Sequence, residues 1–269
     1  MGHESQPAQQ TIGLIGGMSW ESTAEYYRII NEETKRRLGG HHNAKSVLVT
    51  VDFHDIDRFQ QADDWDSLRD MMVSASQQLD AAGADFIVIC ANTMHKVAPA
   101  VEAATSIPLL HIADVTAAAI QAKGFRKVGL LGTRFTMAED FYRGRLKQKF
   151  GIDVVIPEAA ARAEIHRVIL DELCHGKTLD KSRRFYLDEI DKLAAQGAQG
   201  IILGCTEIPL LIKPEHSALP LFDTTQLHAE AAVERALEQV AHSRSTNSRN
   251  MSADCRITLR PTVIVPGGS

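Results

Sequence analysis

The chain has 269 residues, enough for one large domain or two compact lobes with a sizeable core. Its 44% apolar and 23% charged content is ordinary for a soluble globular protein, and a net charge of −5 argues against a nucleic-acid binder. No apolar run approaches the roughly 18 residues of a membrane span, and Met1 to Gln10 lacks the basic-then-apolar pattern of a signal peptide. A cytoplasmic location is therefore expected, with Cys90, Cys174, Cys205 and Cys255 as reduced thiols.

In chain order, short apolar runs alternate with longer stretches of helical spacing. Thr11–Ile15 and Ser46–Val51 read as strands, separated by a helix over Thr23–Leu38. A helix over Trp65–Ala82 leads to strands at Asp85–Ile89 and Pro108–Ile112, then a helix over Thr116–Lys123. The pattern repeats with strands Lys127–Leu131, Asp153–Ile156, Gln199–Leu203 and Leu219–Phe222. Helices are expected over Ala138–Phe150, Ala159–Leu173, Lys181–Ala195 and Gln226–Val240. Most strands are continuously apolar, as when helices cover both faces of a parallel sheet, so the class is α/β. Residues 1–10 and 241–269 are polar and read as irregular tails, Cys255 included. The acidic run Asp63, Asp64, Asp66 reads as a helix cap.

The chain also repeats itself. Ile12-Gly13-Leu14-Ile15-Gly16 is echoed by Val128-Gly129-Leu130-Leu131-Gly132, and Gly83–Cys90 by Gly197–Cys205. Gly13 and Cys90 are 77 positions apart, Gly129 and Cys205 76. This predicts two pseudo-symmetric three-layer lobes with mainly parallel sheets. The first takes residues 11–115 plus 224–240 and the second residues 116–223, with the active site in the cleft between them. Ligands of open α/β sheets bind beyond the carboxyl ends of the strands. Each lobe is therefore expected to present one thiol there, Cys90 from the first and Cys205 from the second.

Opposed thiols suit one chemistry. One takes a proton from a carbon as thiolate while the other delivers a proton to the opposite face, which inverts the centre. A helix or turn after each cysteine would favour the thiolate. Asn92, Thr93 and Thr206 offer donors for an anionic ligand. Cys174, inside an expected helix, reads as core. Gly13 to Ser19 matches neither a dinucleotide fingerprint nor a phosphate loop, and its glycines read as a tight turn beside a small ligand. No metal-ligand spacing stands out, so no metal is expected.

At these residues the sequence resembles the aspartate/glutamate racemase superfamily, whose members work without pyridoxal phosphate. Val88-Ile89-Cys90-Ala91-Asn92-Thr93-Met94-His95 is similar to the family's first cysteine motif, and Ile202 to Pro209 to its second. Gly16 to Thr23, Leu131 to Met137 and Asp140 to Tyr142 are similar to the aspartate-racemase branch. The resemblance implies Cys90 and Cys205 as the acid/base pair, contacts to an amino-acid substrate from Met18, Asn92, Thr93, Thr206 and Glu207, no cofactor, and a homodimer. Aspartate-specific members carry a lysine where His175 stands, and no arginine follows the second strand before Arg58. His175 is thus the expected side-chain contact, and a broader or shifted amino-acid range is expected. A decarboxylase or cis–trans isomerase on the same scaffold, or a non-catalytic amino-acid-binding protein, is the alternative.

Overall fold

The computed structural model describes residues 9–251, with side chains described as far as Glu238. Among the described residues seven strands form two sheets: β1 (Ile12–Gly16), β2 (Ser46–Thr50), β3 (Phe86–Ile89), β4 (Lys127–Gly132), β5 (Asp153–Val155), β6 (Ile201–Gly204) and β7 (Leu221–Asp223). The sheet orders are β2-β1-β3 and β5-β4-β6-β7, and every pairing is parallel. An isolated parallel bridge between Ile87 and Leu109 stands where the first sheet would have its counterpart of β7. The two sheets are therefore copies of one plan, and the molecule is α/β with two similar lobes.

The expected strand at Pro108–Ile112 shrinks to that bridge for a local reason. His111 ends it by capping the helix Ile112–Ala122, its Nδ1 accepting from the Ala113 N–H at 3.2 Å. Caps also move other boundaries. Ser19 Oγ accepts from the Ser22 N–H at 3.3 Å, so the first helix runs Trp20–Leu38. Asp52 caps an unforeseen helix, Phe53–Gln61, by accepting from the His54 N–H at 2.9 Å. Asp64 caps the helix Trp65–Ala81 as the acidic run suggested.

Three apolar clusters fill the layers. Ile15, Ile87 and Ile89 pack on one face of the first sheet with Leu68, Met72 and Leu79. Ile12, Leu14, Phe86 and Val88 pack on the other with Tyr26, Ile30, Ala229 and Val233. Val128, Leu130, Ile201 and Ile202 centre the second lobe's cluster. Each fully buried aliphatic or aromatic side chain contributes about 1.5–3 kcal/mol. The chain crosses between the lobes twice: Ile112 and Ile120 join the second lobe's core, and the last helix returns to complete the first. That helix is Thr224–Met251, so residues 241–251 continue it rather than starting an irregular tail; residues 252–269, with Cys255, lie outside the described residues. Among the described residues no helix is long and apolar enough to cross a membrane.

Candidate active site

Strands β1, β3, β4 and β6 end together, and the loops that follow line a pocket between the lobes. Gly17 makes the first of these loops. Its φ is +90°, and a Cβ there would lie 2.0 Å from the Val51 carbonyl oxygen, so only glycine fits. Met18 follows it into the pocket. Asn92 and Thr93 line the pocket from beyond β3, and Thr206 and Glu207 from beyond β6.

Cys205 is buried with its Sγ donating to Glu207 Oε2 at 2.9 Å. The Thr206 hydroxyl donates to the same oxygen at 2.7 Å, and Ser19 Oγ reaches across the cleft to Oε1 at 3.1 Å. Burial, and then the Glu207 charge beside it, push the Cys205 thiol well above its ordinary value. The turn after Cys205 does not offset this rise. Asn92 is held by its Nδ2, which donates to Thr224 Oγ1 at 2.9 Å; its buried Oδ1 has no partner within the protein. Thr93 Oγ1 pairs with Thr133 Oγ1 at 2.9 Å, tying the lobes together at the pocket.

Cys90 does not line this pocket. Along β3 successive side chains alternate, so Phe86, Val88 and Cys90 face Tyr26 and the last helix, while Ile87, Ile89 and Ala91 face the other way. Cys90 is 0% exposed in that apolar layer, and burial alone pushes its thiol up. The strand register gives the same result independently. Gly13 pairs with Ile87 as Gly129 pairs with Ile201, and Ile15 with Ile89 as Leu131 with Leu203. Cys90 is thus the counterpart of Gly204, and the counterpart of Cys205 is Ala91, which does line the pocket. Of the two cysteines expected to oppose each other, the structure brings Cys205 to the pocket, with Ala91 as its counterpart, and leaves Cys90 in the apolar layer.

One further expectation changes. His175 is exposed, its Nδ1 bonded to the Leu170 carbonyl at 3.0 Å, and it is not among the pocket residues. The helix Ala159–Asp171 stops short of Cys174, and in the following turn, Leu173–His175, Cys174 lines the pocket while still packing against the second lobe's core, as expected. Burial, followed by the Glu207 charge, pushes its thiol up to about 12. His166, Ile169 and Leu170 also line the pocket, facing Phe53, Ile56 and Gln60. Burial and then Arg134 lower the His166 pKa. These side chains escaped the sequence reading because they stand on helix faces with no motif of their own. Ala91 did leave a signal: aligning Gly83 with Gly197 without a gap, an offset of 114, puts Ala91 opposite Cys205. Among the described residues no cluster of three or more His, Cys, Asp or Glu side chains is placed to hold a metal ion.

The sequence profile of the Asp/Glu/Hydantoin racemase family matches residues 15–232. The chain belongs to this family. As one of the Asp/Glu/Hydantoin racemases it is an enzyme of the group of amino-acid racemases that work without pyridoxal phosphate. A Yersinia pestis structure classed with the Asp/Glu racemases is 52% identical, covers 85% of this chain and 99% of its own, and superposes with a TM-score of 0.80. An aspartate racemase homologue from Pyrococcus horikoshii is 33% identical, with 84% and 99% coverage and a TM-score of 0.74. The broad specificity amino-acid racemase RacX of Bacillus subtilis is 23% identical over 227 residues, covering 82% of this chain and 96% of that protein.

Proposed function

We propose that this protein interconverts L- and D-α-amino acids with uncharged side chains, using Cys205 as the acid/base group at the α carbon. The observation that carries this reading is the Cys205–Glu207 hydrogen bond of 2.9 Å in a pocket also lined by Asn92, whose buried Oδ1 has no partner within the protein. An α-ammonium group satisfies that oxygen, since a buried acceptor without a donor costs about 1–3 kcal/mol. The strand-end backbone N–H groups take the α-carboxylate. Transfer of the Sγ proton to Glu207 then leaves a thiolate to remove the α-proton, and the ammonium of the substrate stabilises that thiolate.

The substrate range follows from what lines the rest of the pocket. Phe53 and Ile56 face Ile169 and Leu170, and neither lysine nor arginine is among the lining residues. Arg58 is occupied outside, 3.1 Å from Asp55 and with its guanidinium 4.1 Å from the Phe59 ring centre. A second carboxylate would enter without a counter-charge and beside Glu207, whereas an apolar or neutral polar side chain is accommodated. The broad specificity named for RacX is in line with such a pocket. Trp20 and Tyr27, 68% and 53% exposed and seven positions apart on one helix, support a homodimer.

Proton NMR in D2O with enantiopure Met, Leu, homoserine, Ala, Asp and Glu tests the proposal without added pyridoxal phosphate. Loss of the α-proton signal on neutral amino acids, abolished by Cys205→Ser, is expected. A kcat/KM at least a hundred-fold higher for Asp or Glu than for every neutral amino acid would defeat the specificity. Ala91 also favours a second reading, a decarboxylation that needs one proton on one face; CO2 release from substituted malonates, with no exchange on any amino acid, would establish it instead.

A further inference from the structure

Every titratable side chain that lines the pocket comes from the second lobe: His166, Cys174, Cys205 and Glu207. The first lobe supplies Met18, Phe53, Ile56, Gln60, Ala91, Asn92, Thr93 and Met94, none of which is an acid or base near neutral pH. The Thr93 hydroxyl is already engaged with Thr133 and Thr136, at 2.9 and 3.3 Å. The pseudo-symmetric counterpart of Cys205 is a methyl group. Cys174 cannot serve the opposite face, because it sits beside Glu207 on the lobe that carries Cys205.

Resting on the racemase reading above, we propose that Ala91 makes proton transfer one-sided: Cys205 exchanges the α-proton on its own face, and inversion draws its second proton from water on the Ala91 face. The Cys205 thiolate takes the α-proton and becomes a thiol, leaving the electron pair on the α carbon. The thiol proton exchanges with solvent through Glu207. Return of a solvent-derived proton from Sγ regenerates the starting enantiomer, labelled but not inverted. Protonation on the opposite face takes a proton from water and leaves hydroxide, which the bulk neutralises. Water is a far weaker acid than a thiol, and a positioned acid contributes about 10²–10⁴-fold. Exchange therefore outruns inversion on the order of a hundred-fold for the enantiomer whose α-hydrogen faces Cys205, and the other enantiomer exchanges slowly.

The experiment follows α-deuteration by NMR and inversion by chiral chromatography, from each enantiomer of the best substrate. It uses the intact wild-type protein, Ala91→Cys and Ala91→Ser. The expected result is a large exchange-to-inversion ratio for one enantiomer in wild type. Ala91→Cys should lower that ratio at least about ten-fold by supplying a thiol; Ala91→Ser, similar in size but without the acid, should leave it unchanged. Equal rates of exchange and inversion from both enantiomers in wild type would overturn the inference and leave the racemase reading intact. So would a folded Ala91→Cys, verified by circular dichroism, with an unaltered ratio. Absence of exchange with either enantiomer of any amino acid would instead remove the racemase reading and this inference with it.

Discussion

Mild acid should destabilise this protein through three buried histidines. His95, His111 and His228 pack ring against ring, with centroids 4.6 Å apart for His95–His111 and 5.8 Å for His95–His228. Hydrogen bonds hold His95 and His228 in single neutral tautomers. His95 Nδ1–H donates to the Ala91 carbonyl at 2.8 Å while Nε2 accepts from the Ile112 N–H at 3.2 Å. His228 Nε2–H donates to the Leu110 carbonyl at 2.8 Å while Nδ1 accepts from Tyr26 at 2.9 Å. His111 Nδ1 accepts from its helix. Burial pushes His95 well below the ordinary range, lowers His111 to about 3 with help from Arg145, and lowers His228 to about 4. Arg145 and Lys149, both paired with Asp114, add positive charge nearby.

Because the folded pKa values lie below the unfolded value of about 6.5, the unfolded chain takes up protons first as pH falls. Stability is full above about pH 6.5 and drains as pH falls towards the folded values. Between pH 7 and 5 each such histidine costs about 2 kcal/mol, so the three together cost roughly 5–6 kcal/mol, a large part of a typical 5–15 kcal/mol. Depressed carboxylates such as Glu33, held at about 2 by Arg36 and Arg37, lose their contribution only as the unfolded carboxylates protonate at lower pH. The window above pH 5 therefore isolates the histidines. Urea midpoints at pH 7.5, 6.5, 5.5 and 5.0 should fall steadily, and His228→Gln should reduce the slope by about one proton's worth, roughly a quarter to a third, since His166 is lowered by burial as well. A midpoint that stays constant from pH 7 to 5, or an undiminished slope in the variant, would refute the assignment of these rings as buried and neutral.

Glu207→Gln removes the acceptor of the Cys205 proton, so α-exchange should fall by about 10²–10⁴-fold. Its charge also pushes the thiol up, so iodoacetamide should modify Cys205 at lower pH in the variant, as read by peptide mass spectrometry. Cys90→Ala should leave exchange rates within about two-fold and cost about 1–2 kcal/mol in urea denaturation, because that side chain is packing. Gly17→Ala should lose well over 1 kcal/mol, read as a lower thermal midpoint, since both the positive φ and the Val51 carbonyl oppose a Cβ.

The strands, their parallel pairing and the lobe repeat were legible because a doubly covered sheet writes continuous apolar runs into the chain. Cys205, Asn92 and Thr206 stand in the pocket at the strand ends and loops where the repeat puts them, whereas Glu207 was reached only through the family resemblance. The face of Cys90 was not legible, because nearly equal spacings of 77 and 76 favoured a match of cysteine with cysteine. Spacing includes loops of variable length, whereas the face a side chain takes depends on hydrogen-bond register, where one residue reverses the direction. Cys174 rather than His175 lines the pocket for a similar reason. The helix stopped at Asp171, and a tighter turn rotated the residues that followed.

The return of the last helix to the first lobe has a consequence for biosynthesis. Ala229, Ala232, Val233 and Ala236 close the layer over Ile12, Leu14, Val88 and Cys90, yet they leave the ribosome after the entire second lobe. At about 5–20 residues per second, the interval between Cys90 and Ala236 is on the order of 10 s, during which the nascent first lobe carries an uncovered apolar face. A chain cut before Thr224 keeps every residue lining the pocket but lacks that cover. It is the form of this enzyme most in need of a chaperone.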